Sequence, residues 1–130
     1  MDLYVKDTNN IKKREKLFNK WLNEKTNFHF NESLDWMFKL VKSYNIPKPE
    51  IKIREMKARW GSCHRKDQVI LLNSELIKAP KYCIDYVVLH ELIHFKYNNH
   101  DTDFYAFLIS LMPDWEKRKK ILDEETIKDL

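Results

Sequence analysis

The chain has 130 residues, 43% hydrophobic and 34% charged, which suits one globular domain with its own core and excludes a disordered or fibrous composition. Twenty-four basic residues against 20 acidic ones leave a net charge of +4, too small an excess to argue by itself for nucleic acid. No apolar run is long enough to cross a bilayer and Met1 to Asn10 hold no apolar signal core, so the expectation is a cytoplasmic single domain over 1–130 with no membrane partner. Cys63 and Cys83 are the two cysteines, and a reducing compartment leaves both as thiols.

A single Gly and four Pro give little material for hairpins, so helices are expected to dominate. From Ile11 to Tyr44 apolar residues recur at helical spacing: Leu17, Trp21, Phe28, Leu34, Phe38 and Val41. The pattern predicts one long helix, or two if Asn27 and Asn31 interrupt it, ended by Asn45 and Pro47. Trp21, Trp36 and Met37 are expected in the core. Two short strands follow: Ile51 and Ile53, with Met56 beyond them, alternate with charged residues, and Val69–Leu72 forms an apolar run. The lone Gly61 lies between them, predicting a bulge or a close approach of backbone to another element.

Ala79-Pro80 opens a further helix, because Pro is well tolerated in a first turn. It is expected to run through Tyr97 and, being apolar on most sides, to be buried. Another helix starts near Asp101, and a last one runs from about Pro113 to near Ile127.

Within the buried helix, His90-Glu91-Leu92-Ile93-His94 forms the HExxH pattern. Residues four apart on a helix share a face, so two imidazoles can grip one cation. The residue after the first His points about 100° round the axis, which lets its carboxylate reach a metal-bound water without being a ligand. His100 follows His90 by ten residues. On a continuous helix it would lie about 15 Å along the axis, far beyond ligand bonds of about 2 Å, so the chain must turn back between His94 and His100. Asn98-Asn99 is the expected turn, through left-handed backbone, and Asp101 the cap of the next helix. His90, His94 and His100 are therefore the candidate zinc ligands, and Glu91 the candidate base.

Several other residues are weaker candidates. Glu116, Glu124 or Glu125 offers a carboxylate ligand in place of His100, although their charged terminal helix points to exposure. His29 and His64 are isolated and expected at the surface or in structural roles. Cys63 is within conceivable reach of the metal, but a buried thiol is its ordinary fate. Asp85 is a doubtful orienting partner for a ligand histidine.

The segments Lys57-Ala58-Arg59-Trp60-Gly61-Ser62-Cys63, Leu71-Leu72-Asn73, Ala79-Pro80, Ile84–Val88, His90–His94, Asn99-His100, Phe104-Tyr105 and Met112-Pro113-Asp114 together resemble the YgjP-like metallopeptidase family. The His90–Phe104 stretch is also similar to WLM and SprT-like proteases. The resemblance covers roughly Leu17 to Leu122. It implies an α+β, minimal zincin-like fold: N-terminal backing helix, small twisted sheet, HExxH active-site helix and C-terminal helices. It further implies zinc on His90, His94 and His100, Glu91 as general base, and Trp60–Cys63 near the cleft.

The function so expected is zinc-dependent hydrolysis of a peptide or protein substrate, with Glu91 activating the zinc-bound water. Tyr97, Tyr105 and Arg59 are unranked candidates for steadying an oxyanion. Two alternatives stand beside it. One is a metal-dependent nucleoside triphosphate pyrophosphohydrolase, with Arg54, Lys57, Arg59 and Arg65 available to phosphates. The other is a DNA-associated SprT-like protease, suggested by Lys117-Arg118-Lys119-Lys120, although such a run is ordinarily a solvated helix face. The sequence leaves the oligomeric state open.

Overall fold

The computed structural model describes residues 2–124 and 128–130, with side chains from residue 10 onward. Among them the chain forms four α-helices and one three-stranded sheet, the α+β class that the sequence predicts. Helix α1 (Asp2–Val41) is one unbroken element of 40 residues, about 60 Å long at 1.5 Å per residue. Asn31 does not interrupt it, because its amide donates to Asn27 O at 2.8 Å and Asn27 Oδ1 at 3.0 Å on the exposed face. A 3-10 turn over Lys42–Tyr44 follows, and Asn45 (φ 62°) ends it in the left-handed conformation, as its residue type favours.

Among the described side chains of α1, only those of its C-terminal part are packed. Phe30, Leu34 and Val41 are buried, with Met37 and Phe38 half-buried beside them. Leu17 (68% exposed), Trp21 (52%), Phe28 and Trp36 (55%) are not in the core, contrary to the periodicity. A helical stripe predicts a buried face only where another element covers it, and residues 10–21 are exposed throughout. Trp21 and Trp36 instead carry Lys25 and Lys39 ammonium groups 4.9 Å and 4.4 Å above their rings, an arrangement that suits aromatic faces in water.

The sheet has the order β1-β3-β2. Strand β1 (Glu50–Arg54) runs parallel to β3 (Val69–Asn73), with Ile51 opposite Ile70 and Ile53 opposite Leu72. Strand β2 (Gly61–His64) pairs antiparallel with β3, Cys63 opposite Ile70. The sequence predicts two strands here and the fold has three. With four residues, one of them Gly, and no β-branched side chain, β2 carries no strand pattern of its own. Central β3 is buried on both faces, which is why it reads as a continuous apolar run.

Asn73, at the end of β3, is fully buried. Its amide donates to Met56 O (2.7 Å) and Arg59 O (2.9 Å), and its Oδ1 accepts from Glu75 N (3.0 Å). One side chain thereby satisfies the main chain of the segment leading into β2 and fixes that segment's position.

Helix α2 (Lys81–Ile93) begins after Pro80 and is buried from Cys83 onward, apart from Asp85. It contacts α1, β2, α3 and α4, so the element carrying the candidate chemistry lies at the centre of the fold. The helix ends at Ile93, four residues before the predicted Tyr97. Phe95 N donates to Leu92 O and Lys96 N to Ile93 O, the i→i+3 bonds of a tightened last turn. Helix α3 (Thr102–Leu111) is capped by Asp101, whose side chain accepts from Phe104 N at 3.1 Å. Helix α4 (Trp115–Asp123) is the last; its predicted extension towards Ile127 lies outside the described residues.

Candidate metal centre

His90 stands on the last turn of α2, His94 at its C-terminal cap and His100 on the bend before α3. Their Nε2 atoms form a small triangle: His90–His100 2.9 Å, His94–His100 3.0 Å and His90–His94 3.3 Å. The chain turns back between His94 and His100, as ligand geometry demands, but without the left-handed backbone predicted for the turn. Among the described residues only Asn45 and Gln68 have positive φ outside glycine, so Asn98 and Asn99 are not left-handed. The i→i+3 bonds after Ile93 tighten the helix end and Tyr97 N closes on Ile93 O at 2.9 Å; the chain then bends at Asn99 and His100.

Phe104 forms an apolar floor beneath the three rings. It is fully buried, with its centroid 4.7, 4.8 and 5.1 Å from those of His90, His94 and His100. Sequence reasoning gives it no such role. Its available signal is its place in the first turn of a capped helix, four residues after His100.

Two of the imidazoles, His90 and His94, are held towards the neutral form. Burial, reinforced by His94 and His100, keeps the His90 pKa well below the ordinary imidazole value, and burial also lowers that of His94. His94 Nδ1 lies 3.0 Å from Tyr97 O. A carbonyl only accepts, so Nδ1 carries the proton and Nε2 keeps its lone pair for the centre of the triangle. Three lone-pair nitrogens facing one point repel each other unless a cation or shared protons lie between them. No other group of three or more His, Cys, Asp or Glu side chains able to hold a metal occurs among the described residues.

Glu91 lies beside this triangle, 1% exposed, and its Oε2 has no hydrogen-bond partner. Burial pushes its carboxyl up to about 8, with the Arg59 guanidinium opposing. Gly61 explains how a carboxyl side chain fits there. A Cβ at that position would stand 3.2 Å from Glu91 Cγ, 3.2 Å from Val87 Cγ1 and 3.3 Å from Glu91 Oε2. The close approach expected at the only glycine is the approach of β2 to α2. Gly61→Ala should therefore lower stability by about 1–3 kcal/mol through overpacking, read as a lower Tm, and should displace the Glu91 carboxyl. An unchanged Tm would show that β2 yields freely.

A cavity of about 230 Å³ opens over these groups, lined by Arg59, Cys63, Arg65, Glu91, His94 and His100 among others. Burial, then the Glu91 carboxylate, pushes the Cys63 thiol up to about 12, so in the metal-free protein it stays a thiol. A larger cavity, about 730 Å³ between Glu55–Lys57 and α4, includes none of the three histidines.

The remaining candidates are placed elsewhere. Glu116 and Glu124 are exposed and outside the histidine group, and Glu125 lies outside the described residues. Asp85 accepts from Ser33 Oγ at 2.6 Å, and the buried Nδ1 of His90 has no partner, so Asp85 does not orient a ligand histidine. His64 is exposed, 3.1 Å from Ser62 Oγ, and half-buried His29 packs edge-on against Phe28. Arg59 lines the cavity, whereas Tyr97 packs against Phe107 and Tyr105 stacks on Trp115. In the basic run, Arg118 pairs with Asp114 and Lys119 with Asp123, so half of its charge is met within its own helix region. No helix among the described residues is long and apolar enough to cross a membrane.

Two solved structures share the architecture. The metallopeptidase zymogen of Pyrococcus abyssi abylysin superposes with a TM-score of 0.69 at 17% identity, over 78% of this chain and 98% of that one. The metallopeptidase zymogen of Methanocaldococcus jannaschii jannalysin gives 0.62 at 24% identity, over 75% and 97%. They place the fold among compact, zincin-like α+β proteins. No curated protein matches the chain in sequence. The family described as YgjP-like, metallopeptidase domain, matches residues 1–125, and the chain belongs to that family.

Proposed function

We propose that residues 1–130 act as a single-domain zinc peptidase, with His90, His94 and His100 holding the metal and Glu91 moving the proton. The observation that carries this reading is the triangle of Nε2 atoms, 2.9–3.3 Å apart, beside a buried carboxyl oxygen with no partner. Tetrahedral zinc with nitrogen bonds of about 2.0 Å has ligand atoms about 3.3 Å apart, so the donor set fits the ion, and three protein ligands leave a position open. Neutral imidazoles with a lone pair on Nε2 are the form zinc takes.

A zinc ion held there supplies Lewis acidity, lowering the pKa of water towards ~7 and polarising a carbonyl. The chain's own residues do the rest. Glu91 Oε2, unpartnered in the fold, accepts the proton of the attacking water and returns it to the departing amine nitrogen. Arg59 is the one of the three oxyanion candidates that lines the cavity, and it opposes negative charge developing there. Phe104 and Gly61 hold the imidazoles and the carboxyl in place. The cytoplasm fits this reading, because Cys63 and Cys83 are unpaired in the fold.

The test is a substrate panel on protein stripped by a chelator and reloaded with zinc. Cleavage of an unfolded polypeptide should appear only with metal, and nucleoside triphosphates should pass unchanged. Zinc-dependent release of pyrophosphate without peptide cleavage would replace the peptidase reading with the nucleotide one.

A further inference from the structure

Ile11–Lys25, in the uncovered part of α1, holds six of the 24 basic residues and two of the 20 acidic ones. The rest of the chain is balanced at 18 of each sign, so the whole net charge of +4 resides on this stretch. The apolar residues here share one side of the helix. At 100° per residue Ile11, Leu17, Phe18, Trp21 and Phe28 fall within an arc of about 120°, and each is more than half exposed. Phe30, Leu34 and Val41, which seat α1 on the core, point nearly the opposite way. The body of the protein therefore lies behind the stripe and leaves its length clear.

We propose that the outward face of Ile11–Phe28 docks on the surface of an anionic lipid bilayer, its apolar stripe entering the headgroup boundary and the body of the protein staying on the water side. A spanning helix needs about 20 apolar residues, and none is present among the described residues. A helix that lies on the surface needs only a stripe and a basic polar face, so the expectation of no membrane partner does not extend to it. Charge chooses the occupant. Arg14 and Lys25 fall inside the apolar arc, with the Lys25 ammonium 4.9 Å over the Trp21 ring, whereas Glu15 and Glu24 fall outside it. Pairing two such stripes would bury these cations with no carboxylate between Ile11 and Phe28 to meet them. Lipid headgroups instead offer phosphates to the cations while their aliphatic stems follow the apolar boundary. Nucleic acid would meet the charge but leave the five apolar side chains in water. A helix with its side chains is about 10 Å across, close to the Debye length of about 10 Å at 0.1 M salt. All six basic groups therefore feel a surface that the stripe touches.

Cosedimentation of the full chain with large vesicles tests this. At about 0.1 M salt the chain should partition onto vesicles of three parts phosphatidylcholine to one of phosphatidylglycerol, and about a hundredfold less onto phosphatidylcholine alone. Lys12→Gln, Lys13→Gln, Arg14→Gln and Lys16→Gln together should lower partition about a hundredfold, at about fivefold per basic residue near such a surface. Phe18→Ser with Trp21→Ser should lower it about tenfold or more with the charge unchanged. All six positions are exposed, so the Tm of both variants should match the parent's and a lost fold would not explain lost partition. Amides of residues 11–25 should also exchange more slowly on the anionic vesicles. No partition onto anionic vesicles would overturn the proposal, as would equal partition onto neutral ones or partition that survives the loss of Phe18 and Trp21. Self-association abolished by Phe18→Ser with Trp21→Ser, in a chain that leaves vesicles alone, would give the stripe to a second copy. Salt-sensitive binding to duplex DNA without vesicle binding would give the charge to nucleic acid and overturn the lipid reading likewise.

Discussion

Glu91→Gln is expected to lower peptide hydrolysis by about a thousandfold while the protein still binds one zinc ion. Gln copies the shape of Glu but accepts no proton at the position of Oε2, and general acid–base catalysis typically contributes about 10²–10⁴-fold. Zinc is held by the three imidazoles in this reading, so its stoichiometry should not change. A stability measurement separates proton transfer from a structural role. The Glu91 carboxyl is raised to about 8 by burial, from an unfolded value near 4.5. In the metal-free protein the unfolded chain therefore ionises first, and stability falls as pH rises from about 4.5 to about 8. The Gln variant has no such penalty. Its metal-free Tm should exceed the parent's at pH 7, and the two should converge near pH 4.5. Turnover equal to the parent would exclude Glu91 as the base.

The parts of the site that were legible in the sequence are those governed by helix geometry. His90, Glu91 and His94 occupy one helical turn and its cap, where spacing fixes direction, and His100 followed because a straight helix would carry it out of reach. The place of the turn back was legible, but its backbone conformation was not. The bend falls at Asn99 and His100, within the predicted turn, but it is made without the left-handed backbone that asparagine favours, and the i→i+3 bonds that end the helix before it leave no residue signature. Trp21 and Leu17 show the converse limit: their spacing is helical, but no other element among the described residues covers that stretch of α1. Asn73 and the isolated bridge between Arg59 and Asp129 escaped for a third reason. A single polar side chain reaching back 14 and 17 residues, and a one-residue strand pairing, have no periodicity to detect. Gly61 was noticed because it is the only glycine, and the crowding by Val87 and Glu91 gives that observation its cause.

His100→Ala should cost zinc affinity on the order of a hundredfold or more, with little change in the stability of the metal-free protein. Structural zinc sites gather about 10–16 kcal/mol over four ligands, so a single imidazole carries a few kcal/mol of it. His100 is the appropriate residue because it is exposed on the bend, where truncation leaves no sealed cavity. His90→Ala would instead excavate the floor above Phe104, since His90 is 3% exposed, and would confuse packing with ligation. Differential scanning calorimetry reads the difference directly. At zinc one hundredfold above the parent's Kd, binding adds about 2.7 kcal/mol to stability; a hundredfold weaker variant gains only about 0.4 kcal/mol. For a domain of this size that reduces the zinc-induced rise in Tm from roughly 10 °C to roughly 2 °C. Should His100→Ala keep the full zinc-induced rise, the third position at the metal would belong to another group. Cys63, which lines the same cavity, would be the first to substitute next.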